Sequence, residues 1–495
     1  MTAGRHAKHL QPLRAAPNGW QAAETLLSWV ALGRPFDKRP CGEYGIQHHP
    51  SRSLLMSEPV SSADVPCHHK AVPARLSAMF FLQWATWGVY APLMGRCYGA
   101  SLAEGGLGFS EWQIGLCFGL PGTLGALLAP FVGGQLSDRY FPAERLLGVF
   151  QIAIGGILWT LPTQKLFSSW LVLTLMISLM SAPTVSLANA LAFAHLRDPK
   201  AQYARARLWG TIGWIAAGWG FAMIWLQTGI RPQWLPPFFK GAEAPDVTQR
   251  LFDAIRAGAV LSVVFGLYSL TLPHTPPRRA GVDPLAFRKA FRLFRFRSFA
   301  VLMATGFVLA AVHNIYFMQT SKFLPTLGLR QADILPAMST GQFAEILVMA
   351  VLGWMLKRLG FRWVLAIGAF AYALRFAIFG ATWLPLGVIV ASQSLHGVCF
   401  GCFIAAAFIY IDHLADKDIR TSAQSLIGLV LGLGPILGGV LSAKLAGLCT
   451  PKGGALDFSP YWYTLAAISL VATVFFVVFF CDESAPAHTG EPPAP

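Results

Sequence analysis

The chain has 495 residues, of which 55% are hydrophobic and only 12% are charged, against about 25% charged residues in a typical soluble domain. The mean hydropathy of +0.52 excludes a water-soluble globular protein, and basic cytoplasmic loops explain the net charge of +15 better than nucleic-acid binding does. Residues 208–230 include no Asp, Glu, Lys or Arg, and similar runs recur along the chain. Because one bilayer crossing needs roughly 20 apolar residues, we predict an all-α, multi-pass membrane protein that binds no nucleic acid.

The N-terminal segment, residues 1–74, differs from the rest because it lacks an apolar run long enough to cross a bilayer. Its His, Pro, Arg and Ser content is typical of a disordered tail, which we place in the cytoplasm. Met56 is a second possible start of translation. The Cys67-His68-His69 cluster has metal-binding side chains but no further convergent ligands, so we expect neither a metal nor a cofactor.

About twelve membrane-spanning helices are predicted after the tail, six on each side of a basic linker. We assign residues 75–272 to a first six-helix bundle, 273–298 to the linker, 299–481 to a second bundle and 482–495 to a short tail. The predicted spans are 76–94, 114–135, 146–161, 170–193, 208–225, 257–272, 299–324, 334–356, 363–382, 386–411, 422–445 and 461–480.

The linker sets the orientation of the spans. Its many Lys and Arg residues are opposed only by Asp283, and basic loops stay on the cytoplasmic side of a membrane. Both termini are then cytoplasmic, and the loop at 227–256 faces outward. Two six-helix halves of this kind place a substrate near the midplane of the membrane, between the halves.

A short motif recurs in the loop after the second span of each half. The first copy contains Asp138 and Arg139 after Gly134, and the second contains Lys357 and Arg358 after Gly353. This pattern resembles the loop signature of the major facilitator superfamily, although the second copy lacks the acid. The charges can pair across helix ends in one conformational state, so we interpret these residues as gating elements.

Glu345 is the clearest functional candidate inside a predicted span. A charge at that depth costs at least about 2.5–3.5 kcal/mol, so such residues are functional hypotheses by default. Gln342 lies three residues earlier and shares its helix face. Because a low-dielectric setting favours the neutral form of a carboxyl group, Glu345 is a candidate proton carrier.

Other polar residues inside the spans allow two interpretations each. Arg375 either pairs with an acid such as Glu345 or contacts a substrate, and Arg207, four residues before Thr211, is either a cavity residue or an interfacial cation. His313, Asn314 and His396 could bind a substrate or a neighbouring helix. The spacing of His396 with Cys399 and Cys402 is compatible with a metal, but apolar packing explains both cysteines.

Several of these segments together resemble the nucleoside:proton symporter family of the major facilitator superfamily. The resemblance runs from about residue 76 to 480. The segments that carry it are Met180-Ser-Ala-Pro-Thr-Val-Ser-Leu-Ala-Asn189, Arg207-Leu-Trp-Gly-Thr-Ile-Gly213, Thr271-Leu-Pro-His274, Gln342-Phe-Ala-Glu345, Leu374-Arg-Phe-Ala377 and Ile419-Arg-Thr-Ser-Ala-Gln424.

The resemblance implies a major facilitator fold and proton-coupled nucleoside uptake by alternating access. It implies substrate contacts from Arg207, Thr211, Asn314, Gln342, Glu345, His396 and Phe400. Glu345 also couples the proton, His396 replaces a residue that is usually aromatic, and Phe400 matches an aromatic that stacks on a base. The family pattern has an acid after the Phe400 position, where this chain has Gly401.

Other functions stay open at this point. A sugar or another small polar solute could use the same side chains, and Gly401 also allows a non-transporting sensor on the same scaffold. An enzyme is not expected, because the sequence has no His-Glu-x-x-His, no Gly-x-Ser-x-Gly and no sizeable extramembrane domain. We expect a monomer in the cytoplasmic membrane, with nucleoside and protons as its ligands.

Overall fold

The computed structural model describes residues 72–129, 140–196, 199–234, 238–277, 291–415, 420–452 and 454–482. Residues 1–71 of the predicted tail, the Cys67-His68-His69 cluster, Asp138, Arg139 and residues 278–290 of the predicted linker lie outside these residues. The predicted tail ends too late, because its residues 72–74 already belong to the first helix. The described chain is almost entirely helical, as predicted.

The described part of the first half contains seven helices and one β-hairpin. They are α1 (Val72–Gly88), α2 (Met94–Gly99), α3 (Glu111–Ala129), α4 (Ala143–Thr160), α5 (Phe167–His195), α6 (Pro199–Ile224), strands β1 (Gln227–Pro232) and β2 (Phe239–Glu243), and α7 (Val247–Ser269). A short 3₁₀ turn, Ala91–Leu93, joins α1 to α2.

The second half begins with a 3₁₀ turn, Phe291–Arg295, at the end of the linker. Its elements are α8 (Arg297–Thr326), α9 (Ile334–Gly380), α10 (Leu386–Ser392), α11 (Leu395–Val398), a π-helical turn (Cys399–Ala405), α12 (Ala406–Leu414), α13 (Arg420–Cys449) and α14 (Phe458–Phe479). The predicted span at 386–411 is therefore not one regular helix but four consecutive helical pieces.

The long helix α9 holds two predicted spans and divides at Gly360. The backbone φ of Gly360 is +73°, which only glycine adopts without strain. Within the described residues, eight helical stretches are long and apolar enough to cross a membrane, and the stretch Gln331–Gly380 includes both arms of α9.

Close glycine contacts join the two halves along α3 and α13. A Cβ on Gly115 would lie 2.4 Å from the carbonyl oxygen of Gly439, and one on Gly119 would lie 2.9 Å from that of Pro435. These distances are too short for any side chain, so the helices pack backbone to backbone. Small residues at helix interfaces allow this close approach in lipid.

A buried polar network ties four helices of the first half together. The hydroxyl of Thr184 accepts hydrogen bonds from Gln83 (3.1 Å) and Gln151 (3.3 Å). Ser262 donates in turn to the side-chain oxygen of Gln151 at 2.7 Å. All four residues are buried. Each of α1, α4, α5 and α7 contributes one of them.

The β-hairpin was not predicted, because the loop at 227–256 shows neither strand alternation nor a clear turn motif. Strands β1 and β2 pair antiparallel, with Arg231 opposite Lys240. We call the end of the molecule that carries this hairpin the hairpin side.

On the hairpin side, polar contacts join the two halves. Arg330 donates to the carbonyl oxygen of Gly241 at 2.8 Å, and the backbone N–H of Ala332 donates to Glu243 at 3.0 Å. Asp333 accepts two hydrogen bonds from Arg330, which raises the pKa of this guanidinium and keeps it charged.

Two further links close the same side. Glu111 at the start of α3 forms an ion pair with Lys322 of α8 and accepts a 2.7 Å hydrogen bond from Gln319. Gln331 bonds to Thr248 of α7 at 3.2 Å. The described structure is therefore a conformation in which the halves are joined on the hairpin side.

Candidate functional site

The polar stripe predicted on α9 faces the first half. Gln342 is 7% exposed, and its side-chain oxygen is enclosed without a hydrogen-bond partner among the described residues. Glu345, one turn further along, is half-buried. A direct ion pair requires a cationic nitrogen within 4.0 Å of a carboxylate oxygen, and no described residue meets this condition at Glu345.

Arg207 of α6 is the cation that interacts with Glu345 electrostatically. Its guanidinium lies 4.3 Å from the ring centre of Trp84, on α1, in a cation–π contact. A neutral aromatic face holds the charge in place without neutralising it. Arg207 therefore acts on Glu345 at a distance rather than through a salt bridge.

Residues of α6 form a stripe that continues from Arg207. Thr211 and Trp214 follow at four and seven residues and lie on the same helix face. The ring of Trp214 contacts Phe317 of α8 edge-on at 6.5 Å between centroids, and Phe317 contacts His396 at 5.6 Å. An aromatic path thus joins the predicted site residues of both halves.

His396 lies directly beside the polar stripe of α9. A Cβ on Gly341 would lie 2.8 Å from the Cβ of His396, and one on Gly397 would lie 2.2 Å from the backbone nitrogen of Glu345. These two glycines let α9 and α11 approach to backbone contact. His396, Gln342 and Glu345 are consequently held at fixed relative positions.

Stacked rings surround His396. Its imidazole lies 5.0 Å from the rings of both His313 and Tyr316, with interplanar angles of 28° and 26°. Nδ1 of His313 also lies 2.9 Å from the hydroxyl of Tyr372.

Arg375 is fully buried behind His396 rather than beside Glu345. Its Nη1 lies 2.9 Å from Nδ1 of His396, and its guanidinium lies 4.2 Å from the ring centre of Tyr316. Among the described residues no carboxylate pairs with it, so the ion pair with Glu345 that we considered from the sequence is absent.

The remaining predicted residues are less tightly placed. Asn314 is half-buried, and its side-chain oxygen is enclosed without a partner within the described chain. Phe400 is half-buried in the π-helical turn, a type of irregularity that often occurs at functional sites. Lys357 and Arg358 lie on α9, near its break at Gly360.

The aromatic part of the site was not predicted from the sequence. Trp84, Trp214, Phe317, Tyr316 and Tyr372 sit in apolar spans where aromatic residues are common, so no local pattern marked them. The available signal was Trp214, which continues the helical spacing of Arg207 and Thr211. Trp84, Trp214 and Phe317 are half-buried beside Arg207 and His396, whereas Tyr316 and Tyr372 are fully buried behind His396.

Comparison with known proteins identifies the family. A family model described as "Nucleoside H+ symporter" matches residues 71–485. The chain belongs to the nucleoside H+ symporter family. It is therefore a multi-pass membrane transporter of the proton-coupled nucleoside type, and not an enzyme.

Relatives of this symporter include two proteins of Escherichia coli (strain K12). One, described as "Putative nucleoside transporter YegT", is 31% identical over 421 residues, which cover 82% of this chain and 93% of the relative. The other, "Xanthosine permease", is 25% identical over 434 residues, covering 83% of this chain and 96% of the relative.

Solved structures establish the fold. The crystal structure of the nucleoside transporter NupG superposes with a TM-score of 0.69 at 24% identity, covering 83% of this chain and 99% of NupG. A D-xylose-proton symporter gives a TM-score of 0.62 at 12% identity, covering 83% of this chain and 97% of the other. The symporter has the predicted major facilitator fold.

Gly401, where the family resemblance implies an acid, lies close to α9 in this symporter. A Cβ at this position would lie 2.6 Å from Cγ1 of Val348 on α9. A side chain at position 401 would therefore require the Val348 side chain on α9 to shift. Among the described residues no group of three or more His, Cys, Asp or Glu side chains could hold a metal.

Proposed function

We propose that this symporter takes up nucleosides across the cytoplasmic membrane, and that Glu345 carries the coupled proton. The observation that carries the proposal is the half-buried carboxylate of Glu345, which shares a helix face with Gln342 and interacts with Arg207 of the other half. Protonation of Glu345 would remove that attraction, so the relative position of the halves and the proton are coupled.

The nucleoside would lie between the two stripes. Arg207, Thr211 and Trp214 approach it from the first half, and Gln342, Glu345 and Asn314 offer hydrogen-bonding groups from the second. Amide and carboxylate groups suit ribose hydroxyls and base edges, and Phe400 or Trp214 offers a flat face for a base.

The hairpin side would face outward, because the basic linker and both termini are predicted in the cytoplasm. The described conformation is then closed to the outside, and Asp138, Arg139, Lys357 and Arg358 would act as gating residues on the cytoplasmic side.

A membrane potential supplies about 2.3 kcal/mol per charge per 100 mV, enough to drive severalfold accumulation with each proton. We expect a monomer that needs no cofactor.

Purified protein in liposomes tests the proposal. Labelled uridine, adenosine and xylose are offered outside, with and without an inward proton gradient. We expect accumulation of a nucleoside only with the gradient, accompanied by acidification of the interior. Accumulation of xylose alone would favour a sugar transporter, and binding without any transport would favour a sensor.

A further inference from the structure

Arg375 is a buried cation whose partners are unusual. It is 0% exposed, yet its Nε and Nη2 atoms have no hydrogen-bond partner among the described residues. Two tyrosine rings and one phenylalanine ring surround the guanidinium at 4.2–5.5 Å from their centres. Nδ1 of His396 is the one acceptor that it reaches in the described structure.

This contact fixes the hydrogen positions of His396. A guanidinium has five N–H donors and no acceptor, so in the 2.9 Å contact Arg375 donates and Nδ1 accepts. A second positive charge on the imidazole would lie against the guanidinium, which disfavours it. His396 is then neutral, and its one N–H is on Nε2.

The Cβ–Cδ2 side of the imidazole lies against α9, where the polar stripe runs. Cδ2, the carbon bonded to Nε2, lies 3.1 Å from where a Cβ on Gly341 would be, next to Gln342. Nε2, the ring atom bonded to Cδ2, makes no hydrogen bond to a described residue, and His396 as a whole is 3% exposed. A donor is therefore available beside Gln342.

We propose that Arg375 is a positioning residue that holds His396 in the Nε2–H form, so that His396 recognises a hydrogen-bond acceptor on the nucleoside. This inference rests on the proposed substrate site and adds that His396 offers the substrate a hydrogen-bond donor at Nε2. At the position where relatives usually have an aromatic residue, this symporter selects ligands with a carbonyl or ring-nitrogen acceptor.

Nitrogen NMR of the imidazole tests the tautomer directly and needs no transport. Protein labelled with ¹⁵N and ¹³C in histidine is measured in liposomes, and the spectrum of His396→Gln is subtracted. We expect one neutral ring with hydrogen on Nε2 in the wild type, and loss of that single form in Arg375→Met. A hydrogen on Nδ1, or a charged ring, in the wild type would overturn the inference even if nucleosides are transported.

Transport kinetics test whether Arg375 acts through His396. His396→Phe and Arg375→Met should each raise KM about three- to tenfold, the loss expected for one neutral hydrogen bond. The double variant should be no worse than either single variant, because both remove the same interaction. The inference would be overturned if the two increases in KM multiplied in the double variant. An unchanged KM in His396→Phe would also overturn it.

Two further variants separate positioning from a general structural role. His396→Gln places an amide N–H near the Nε2 position without help from Arg375, so its KM should not respond to the addition of Arg375→Met. Arg256→Met, which removes a partly exposed cation paired within its own helix, is the matched control and should leave KM unchanged. If the wild type itself transports no nucleoside, the proposed function fails, while the NMR result still decides the tautomer.

Discussion

Arg207 and Glu345, on opposite halves of the symporter, interact electrostatically without forming a direct ion pair. Trp84 holds the guanidinium at 4.3 Å from its ring centre, and Gly397 fixes the backbone of Glu345. The attraction therefore depends on the charge of Glu345 and on the separation of the halves. These are the two quantities that a proton-coupled transporter must link.

Glu345→Gln should abolish accumulation driven by a proton gradient while preserving nucleoside binding, because the amide keeps the hydrogen-bonding shape but cannot take up a proton. Uptake of labelled uridine into liposomes, with binding measured in detergent, checks this outcome. Asp246→Asn, which alters an exposed acid on the hairpin side, should behave as wild type. Gradient-driven uptake at the wild-type rate in Glu345→Gln would remove this residue from the coupling mechanism.

Trp84→Leu should raise the KM for nucleosides about two- to thirtyfold, in line with a cation–π contact of about 0.5–2 kcal/mol that no longer holds Arg207. The matched control is Trp159→Leu, since Trp159 is 55% exposed on the outer face of α4. Equal KM values for the two variants would show that the ring of Trp84 does not position the guanidinium.

Gly397→Ala should reduce the maximal rate of transport at least about tenfold, because the new Cβ would lie 2.2 Å from the backbone nitrogen of Glu345 and force α9 away. Gly387→Ala, on α10 in open space, should retain wild-type rates. If both variants transport equally well, close approach of α9 and α11 is not required for the cycle.

Thr184→Val should lower the free energy of unfolding by about 1–3 kcal/mol, since it leaves the buried amides of Gln83 and Gln151 without their shared acceptor. Thermal unfolding in detergent measures the difference. Thr174→Val is the control, because that hydroxyl bonds only to carbonyl groups of its own helix. Equal melting temperatures would mean that the network adds no stability.

Arg330→Ala should loosen the hairpin side, because it removes the 2.8 Å hydrogen bond to Gly241. Hydrogen–deuterium exchange should become faster in peptides covering β2 and the 3₁₀ turn Gln331–Asp333. Arg256→Ala, whose ion pair lies within one helix, should leave these peptides unchanged. Unaltered exchange in Arg330→Ala would show that the other contacts on the hairpin side, and not that of Arg330, hold the halves together.

Each predicted span overlaps a described helix, because apolar length reports directly on the bilayer, although α6 and α7 begin well before the predicted spans at 208–225 and 257–272. The division of α9 at Gly360 agrees with the basic loop expected between two predicted spans. The hairpin Gln227–Glu243 could not be predicted, since its strands are short and mostly exposed, and pairing with each other rather than an apolar pattern stabilises them.

The site was predicted only in part. Glu345 and Gln342 stood out because polar residues are rare at that depth, and Arg207 and Thr211 followed from the family resemblance. The partner of Arg375 could not be read from the sequence. Residues 375 and 396 lie on different elements, and only the folding of α9 against α11 brings the guanidinium to His396 rather than to Glu345.

The glycine contacts between α9 and α11 pack the segments that carry Glu345 and His396 backbone to backbone within the second half. In the alternating-access cycle that we propose, the carboxyl and the imidazole then move together, whereas the guanidinium on α6 moves with the opposite half. As the halves approach or separate, the distance between the guanidinium and the carboxyl group changes. The electrostatic stabilisation of the ionised carboxylate changes with it.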